Sequence, residues 1–258
     1  MKRLHIHDGP GEAFNITARV NWAVWHLEPE THCRSFLAIL DRCATKYGFS
    51  VIGYVLMANH CHVIVQSPTD PRYAELTTRE TRCRHRRPYP RGHMKASALS
   101  QFMHGLMWMT SRRIQRELGI KGHFWEDSYW ATQIQDAVHL LIALAYDHNN
   151  PVKEKMVERP EDYRRSSAAW WAGTGGAPVD LLAHDLPFGL DLSAFRCSLL
   201  RVQGSDDFLP IMADIEEGVV SLEDPTDRLA IVQNLSGSGV LSPVDLRIRN
   251  PQPGGVTR

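Results

Sequence analysis

"SVIGYVLMANHCHVIVQS" (residues 50–67) holds two apolar, β-branched runs separated by a short break. Runs of this length and chemistry read as strands, with Ala58-Asn59 at the turn or bulge between them. Working outward, "FNITARVNWAVWHL" (14–27) begins with the apolar–polar alternation of a half-buried strand. In "ETHCRSFLAILDRCATKYG", Phe36, Leu37, Leu40, Cys43 and Tyr47 recur at helical spacing, and Gly48 is placed to end the helix. Strand, helix, strand, strand is half of a split βαβ, or ferredoxin-like, arrangement. The expected class is therefore α+β with an antiparallel sheet.

Further along, "SALSQFMHGLMWMTSRRIQRELG" (97–119) has the pattern of a long amphipathic helix with a basic end, and "HFWEDSYWATQI" (123–134) has strand chemistry. "DAVHLLIALAYDHNN" (136–150) reads as a helix with Asp136 at its N-cap and Pro151 beyond its end. The stretch from Ser67 to Lys95 is polar and rich in Pro and Arg, and reads as a mobile loop. Gly and Pro near residue 173 mark a boundary between a domain over 10–172 and a smaller C-terminal extension over 173–258. The extension is expected to be helical and irregular, and partly disordered toward its end.

The chain has 258 residues, enough for a sizeable core. No apolar run approaches the roughly 18 residues that cross a membrane, and the N-terminus has no apolar signal region. Five cysteines without a CxxC pair suggest reduced thiols and a cytoplasmic address, and argue against thiolate-held zinc. The net charge of zero hides a division. Residues 1–172 carry 23 basic against 17 acidic residues, and residues 173–258 carry 6 against 12. A basic part that meets polyanions, and an acidic part that dampens its non-specific binding, would produce this pattern. Chance would produce it too, and the extension is equally readable as a small packing appendage or a dimerisation element.

Within the opening stretch, His60 and His62 sit at i and i+2, so in a strand they share one face while Cys61 turns to the other. Two neutral imidazoles on a rigid face can clamp a divalent metal. The bare pattern is weak, because such pairs are often satisfied by hydrogen bonds or solvent. His5 and His7 repeat the spacing in a polar N-terminus with no strand beneath it, and there the plain reading holds.

With its context, "YVLMANHCHVIV" resembles the metal-binding strand of HUH nucleases in the IS200-like, single-tyrosine (Y1) transposase family, and more specifically of the REP-associated tyrosine transposases. Met57, Ala58, Asn59, His60 and His62 match that motif in order. "AYDHNNPVKEKMV" is similar to the family's nucleophile segment, with Tyr146 in the nucleophile slot and Asn150, Pro151 and Val152 in the Asn-Pro-Val motif. Tyr146 and Asn150 stand four apart and share a helical face, and His148 falls off it, toward solvent or a phosphate. The resemblance covers about residues 10–172. It departs at Asn15, where a His is usual, and at Ser128, where an Arg is usual.

The resemblance implies an HUH domain that cleaves and rejoins single-stranded, hairpin-forming or repeat-derived DNA through a 5′-phosphotyrosine at Tyr146. It also implies Mg²⁺ or Mn²⁺ held by His60, His62 and Asn150, a donor set suited to those ions. Arg84, Arg86, Arg87 and Arg91, with Arg112, Arg113 and Arg116, would track the DNA backbone, in a monomer or a homodimer. The rival expectation is a catalytically inactive nucleic-acid-binding module, such as a repressor, on the same fold. An ordinary core role for Tyr146 and a solvated face for the arginines are the plain alternatives.

Overall fold

The computed structural model describes residues 9–21, 24–70, 97–183 and 185–241. Its sheet is built from β1 (Ala13–Arg19), β2 (Ser50–Leu56), β3 (His60–Gln66) and β4 (Trp130–Ile134). The order is β2-β3-β1-β4, and every neighbouring pair is antiparallel. With α1 (Glu30–Tyr47) between β1 and β2, and α2 (Ala98–Leu118) between β3 and β4, this is the ferredoxin-like topology expected from the strand and helix order. Residues 71–96, which hold all but the first four positions of the Pro- and Arg-rich stretch ahead of α2, lie outside the described residues, as do His5 and His7.

Local chemistry sets the helix ends. Gly48 and Gly119 adopt the left-handed conformation at φ 73° and 66°, stopping α1 and α2. Ser97 caps α2 by accepting from the Ser100 N–H at 3.1 Å. The strands at 14–27 and 123–134 are shorter than their composition suggested. Regular pairing of β1 stops at Arg19, and β4 begins only at Trp130, each where the cross-strand register runs out.

Alternation divides the sheet into two faces. Phe14, Ile16, Ala18, Cys61, Val63 and Val65 pack against α1 and α2. The other face, with Ala13, Ile52, Ile64 and Ile134, packs against α3 (Ala137–Lys153). That helix is followed by the short α4 (Ala168–Ala172) and by α5 (Leu192–Gln203), α6 (Phe208–Glu216) and α7 (Pro225–Gly237). Phe195, Leu199, Val202, Phe208, Met212, Ile231 and Leu235 join Leu140, Leu141 and Leu144 in one core, so the described part of the extension covers the outer side of α3. The end of the tail that was expected to be disordered, "NPQPGGVTR" (250–258), lies outside the described residues.

One expectation about α3 needs correcting: the helix does not end before Pro151 but runs through it to Lys153. Proline cannot donate to the carbonyl four residues back. Here the Asn150 amide donates to that same carbonyl, of Asp147, at 3.4 Å and to the Tyr146 carbonyl at 3.2 Å. The side chain offsets the missing backbone bond and the turn survives.

Gly53 marks the close approach of α3 to the sheet, at a shift of register between β2 and β3. A Cβ there would run into Leu144 Cδ1, with Ser167 Oγ at 3.2 Å. Leu144 is itself fully buried. Gly53→Ala should therefore destabilise the fold by about 1–3 kcal/mol, the usual cost of overpacking, measurable by urea unfolding.

His139, buried in the first turn of α3, accepts from the Gln135 N–H at 3.4 Å. Burial, and then the Arg228 charge, lower its pKa to about 4 from the ordinary 6.5. Protonation thus favours the unfolded chain. The stabilisation is complete above about pH 6.5 and is lost as pH falls through about 4, on the order of 3 kcal/mol. Urea unfolding of wild type and His139→Gln between pH 7 and 4 should show a steeper loss for wild type; parallel slopes would exclude this role.

Candidate active site

Strand β3 presents His60 and His62 on the face that packs against α3, with ring centroids 5.1 Å apart, while Cys61 is buried in the opposite core. The two faces demanded by the i, i+2 spacing are the two observed. Each ring has its Nδ1 engaged by the protein. His60 Nδ1 lies 2.7 Å from Asn59 Oδ1. His62 Nδ1 lies 3.0 Å from the hydroxyl of Thr17, its partner across the β1–β3 pair, and 3.4 Å from Asp147 Oδ1. Asn15, two residues before Thr17 on the same face of β1, donates to the same Asp147 oxygen at 3.5 Å.

Burial keeps both imidazoles neutral at ordinary pH. It lowers His60 to about 4 and His62 to about 3, with neighbouring positive groups adding to the effect. It also raises the Asp147 carboxyl well above its usual range, partly opposed by the bond from Asn15. Thr17 makes the hydrogen-bonded approach to His62 Nδ1, and Asp147 Oδ1 stands behind it within ion-pair distance at 3.4 Å. Asp147 Oδ2 and Asn15 Oδ1 are buried without a hydrogen-bond partner.

Tyr146 and Asn150 lie on α3 on either side of Asp147 in sequence. The Tyr146 ring packs against the core shared with the extension, and its hydroxyl donates to Glu216 Oε1, on α6, at 2.9 Å. Glu216 also pairs with Lys153. Burial, and then Asp147, push the Tyr146 phenol up to about 12. Asn150 spends its amide nitrogen on the helix backbone, so its carbonyl oxygen is the atom that could serve as a ligand.

Two neutral imidazoles and an amide oxygen suit a hard or borderline divalent cation by donor type. Among the described residues no three His, Cys, Asp or Glu side chains group closely enough to hold a metal ion. A cation here would draw its remaining donors from Asn150, water or substrate. His148 is neither exposed nor open to a phosphate. It is fully buried between Ser167 Oγ, at 2.8 Å, and the Gln203 amide of α5, because the extension covers that side of the helix.

Of the arginines, Arg112, Arg113 and Arg116 are exposed on α2, on the opposite face of the sheet from the histidines. Arg113 is paired with Glu117 at 2.7 Å, and Arg112 lies over the exposed Trp108 ring at 6.0 Å. Arg84, Arg86, Arg87 and Arg91 lie outside the described residues. Thr17, Asp147 and Glu216 were not singled out from sequence. Thr17 was within reach, since it alternates with Asn15 on a strand that must face β3. Asp147 stood out as an acid inside an apolar helix.

No protein-family model matches the chain, and no curated protein does. Among solved structures, it is similar to a REP-associated tyrosine transposase bound to a REP hairpin, at 16% identity and a TM-score of 0.47, over 74% of this chain and 94% of that one. It is also similar to a protein assigned as a transposase from Deinococcus radiodurans R1, at 14% identity and a TM-score of 0.33, over 55% of this chain and 92% of that one. No helix among the described residues is long and apolar enough to cross a membrane.

Proposed function

We propose that the chain is a transposase of the HUH tyrosine type, cutting and rejoining single-stranded, hairpin-forming DNA through a 5′-phosphotyrosine at Tyr146. The observation that supports this reading is the 3.4 Å contact between Asp147 Oδ1 and His62 Nδ1, which brings the helix carrying Tyr146 and Asn150 against the strand carrying the paired histidines. Asp147 of "AYDHNNPV" and His62 of "ANHCHV" are neighbours in space with 84 residues of chain between them.

In this reading His60, His62 and the Asn150 oxygen hold Mg²⁺ or Mn²⁺, which supplies Lewis-acid polarisation of the scissile phosphate. The Tyr146 oxygen attacks phosphorus, forming a Tyr–O–P bond as the bond to the departing 3′ oxygen breaks, and the 3′ oxygen leaves as a hydroxyl after taking up a proton. The phenolic proton has an acceptor already in place in the Glu216 carboxylate, with Lys153 beside it. The phosphodiester energy is conserved in the covalent bond, so rejoining needs no nucleotide cofactor. The exposed arginines of α2 would meet the backbone of the flanking DNA.

A second reading, a binding module that does not cut its strand, is favoured by one observation: the Tyr146 hydroxyl is already occupied by Glu216. One assay separates the two. Purified protein is incubated with end-labelled hairpin single strands and Mn²⁺, then resolved under denaturing conditions. A covalent protein–DNA band supports the nuclease, and binding with no such band under any divalent metal leaves the module.

A further inference from the structure

We propose that Asp147 is a positioning residue for His62, fixing its ring in the tautomer that carries the proton on Nδ1 and turns Nε2 toward a divalent cation. The inference rests on the metal-site reading above and deepens it. It begins with an oddity of composition. Asp147 is an acidic residue, 1% exposed, in a helix whose preceding turns are Leu, Ile and Ala. A carboxyl placed there costs desolvation, and its Oδ2 has no partner to offset that cost. A purely space-filling role would be met better by Leu or Ile, so the group has to be explained by what it touches.

It touches the His62 ring nitrogen on the inner side of the site, with Oδ1 3.4 Å from Nδ1. Thr17, 3.0 Å from the same nitrogen, can either give or accept a hydrogen bond, so the hydroxyl alone selects no tautomer. Asp147 does. Its Oδ1 already accepts from the Asn15 amide at 3.5 Å, which marks that oxygen as an acceptor. A carboxyl oxygen 3.4 Å from Nδ1 favours the ring proton on Nδ1, where its hydrogen faces that oxygen, and so leaves the lone pair on Nε2. His60 follows the same rule by different means, with the Asn59 carbonyl oxygen 2.7 Å from its Nδ1. Both imidazoles are thereby prepared to ligate through Nε2, and outer partners of this kind orient ligating histidines in metal sites generally. Asn15 gains a role as well: its amide holds the carboxyl that holds the ring.

The experiment uses the full chain labelled with ¹⁵N-histidine and reads the ring nitrogens by long-range proton–nitrogen correlation without metal. Mn²⁺ affinity is then measured by titration calorimetry. Wild type should show His62 protonated on Nδ1. Asp147→Leu should populate the Nε2–H tautomer and weaken Mn²⁺ binding by about 10–100-fold, as loss of such partners does elsewhere. Asp147→Asn, whose carbonyl can still accept, should restore the tautomer and most of the affinity. A wild-type His62 protonated on Nε2 would overturn the proposal even if Asp147→Leu failed to fold. So would an Asp147→Leu protein with an unchanged ring pattern and unchanged Mn²⁺ affinity. Because the tautomer is read without metal or DNA, a wild type that binds no Mn²⁺ and forms no adduct overturns the nuclease reading separately.

Discussion

Tyr146→Phe should abolish the covalent DNA adduct while leaving hairpin binding within about two-fold of wild type. The substitution deletes one hydroxyl and keeps the ring that packs against the core shared by α3 and the extension. The bond lost is the one to Glu216, on a partly exposed surface, and a neutral-to-charged bond of that kind contributes no more than about 1–3 kcal/mol. The protein should therefore remain folded, and loss of chemistry would be loss of the nucleophile. The other tyrosines are poorly placed to substitute. Tyr54 is buried in the opposite core, and Tyr163 spends its hydroxyl on the Leu56 carbonyl at 2.7 Å. Tyr47 packs beneath Gly105 on the α1–α2 side. Tyr73 and Tyr89 lie outside the described residues. Tyr129 is half-buried with its hydroxyl 3.5 Å from Ser100, also on the α2 side. An adduct persisting in Tyr146→Phe at wild-type yield, mapped by peptide mass to Tyr129 or another tyrosine, would remove Tyr146 from the mechanism.

The fold was legible because its signals are local. Alternation in β1, the two apolar runs around Asn59 and the glycines ending α1 and α2 each follow from a few adjacent residues, and their order allows few topologies. The histidine pair was legible for the same reason, since a period of two leaves one choice of face. What surrounds the pair was not. Asp147 reaches His62, and Asn15 reaches Asp147 across 132 residues of sequence, only because α3 crosses that face of the sheet. Helix periodicity gives no hint of which turn meets which strand. His148 was misplaced by the same gap: its helix side looks free until α5 and Ser167 are folded over it. Pro151 was read as a terminator because the compensating bond from Asn150 is a property of side-chain geometry and not of spacing.

Removing the acidic extension should have the largest effect on stability. Read as a tethered polyanion, it would compete with DNA for arginines, and its deletion would tighten non-specific binding. The described part is built differently. Phe195, Leu199, Val202, Phe208, Met212, Ile231 and Leu235 are all buried against α3. Arg228, 4% exposed, bonds to the Asp136 carboxylate at 2.8 Å and so ties α7 to the first turn of that helix. Glu216 is engaged by Tyr146 and Lys153 and is not free for the arginine surface. At about 1.5–3 kcal/mol for each buried side chain, the seven together contribute on the order of 10–20 kcal/mol, against a total stability of about 5–15 kcal/mol for a typical domain. A chain ending at Asp185 should therefore lose cooperative unfolding, bind a hydrophobic dye and self-associate in size-exclusion chromatography. Its DNA affinity would then report on an exposed apolar face and not on a released basic one. A monomeric truncated protein with the wild-type melting temperature would show that the extension adds nothing to the core. A milder test of charge leaves the packing in place: neutralising the exposed Asp214, Glu217 and Glu223 together should change the salt dependence of binding if the carboxylates act through space.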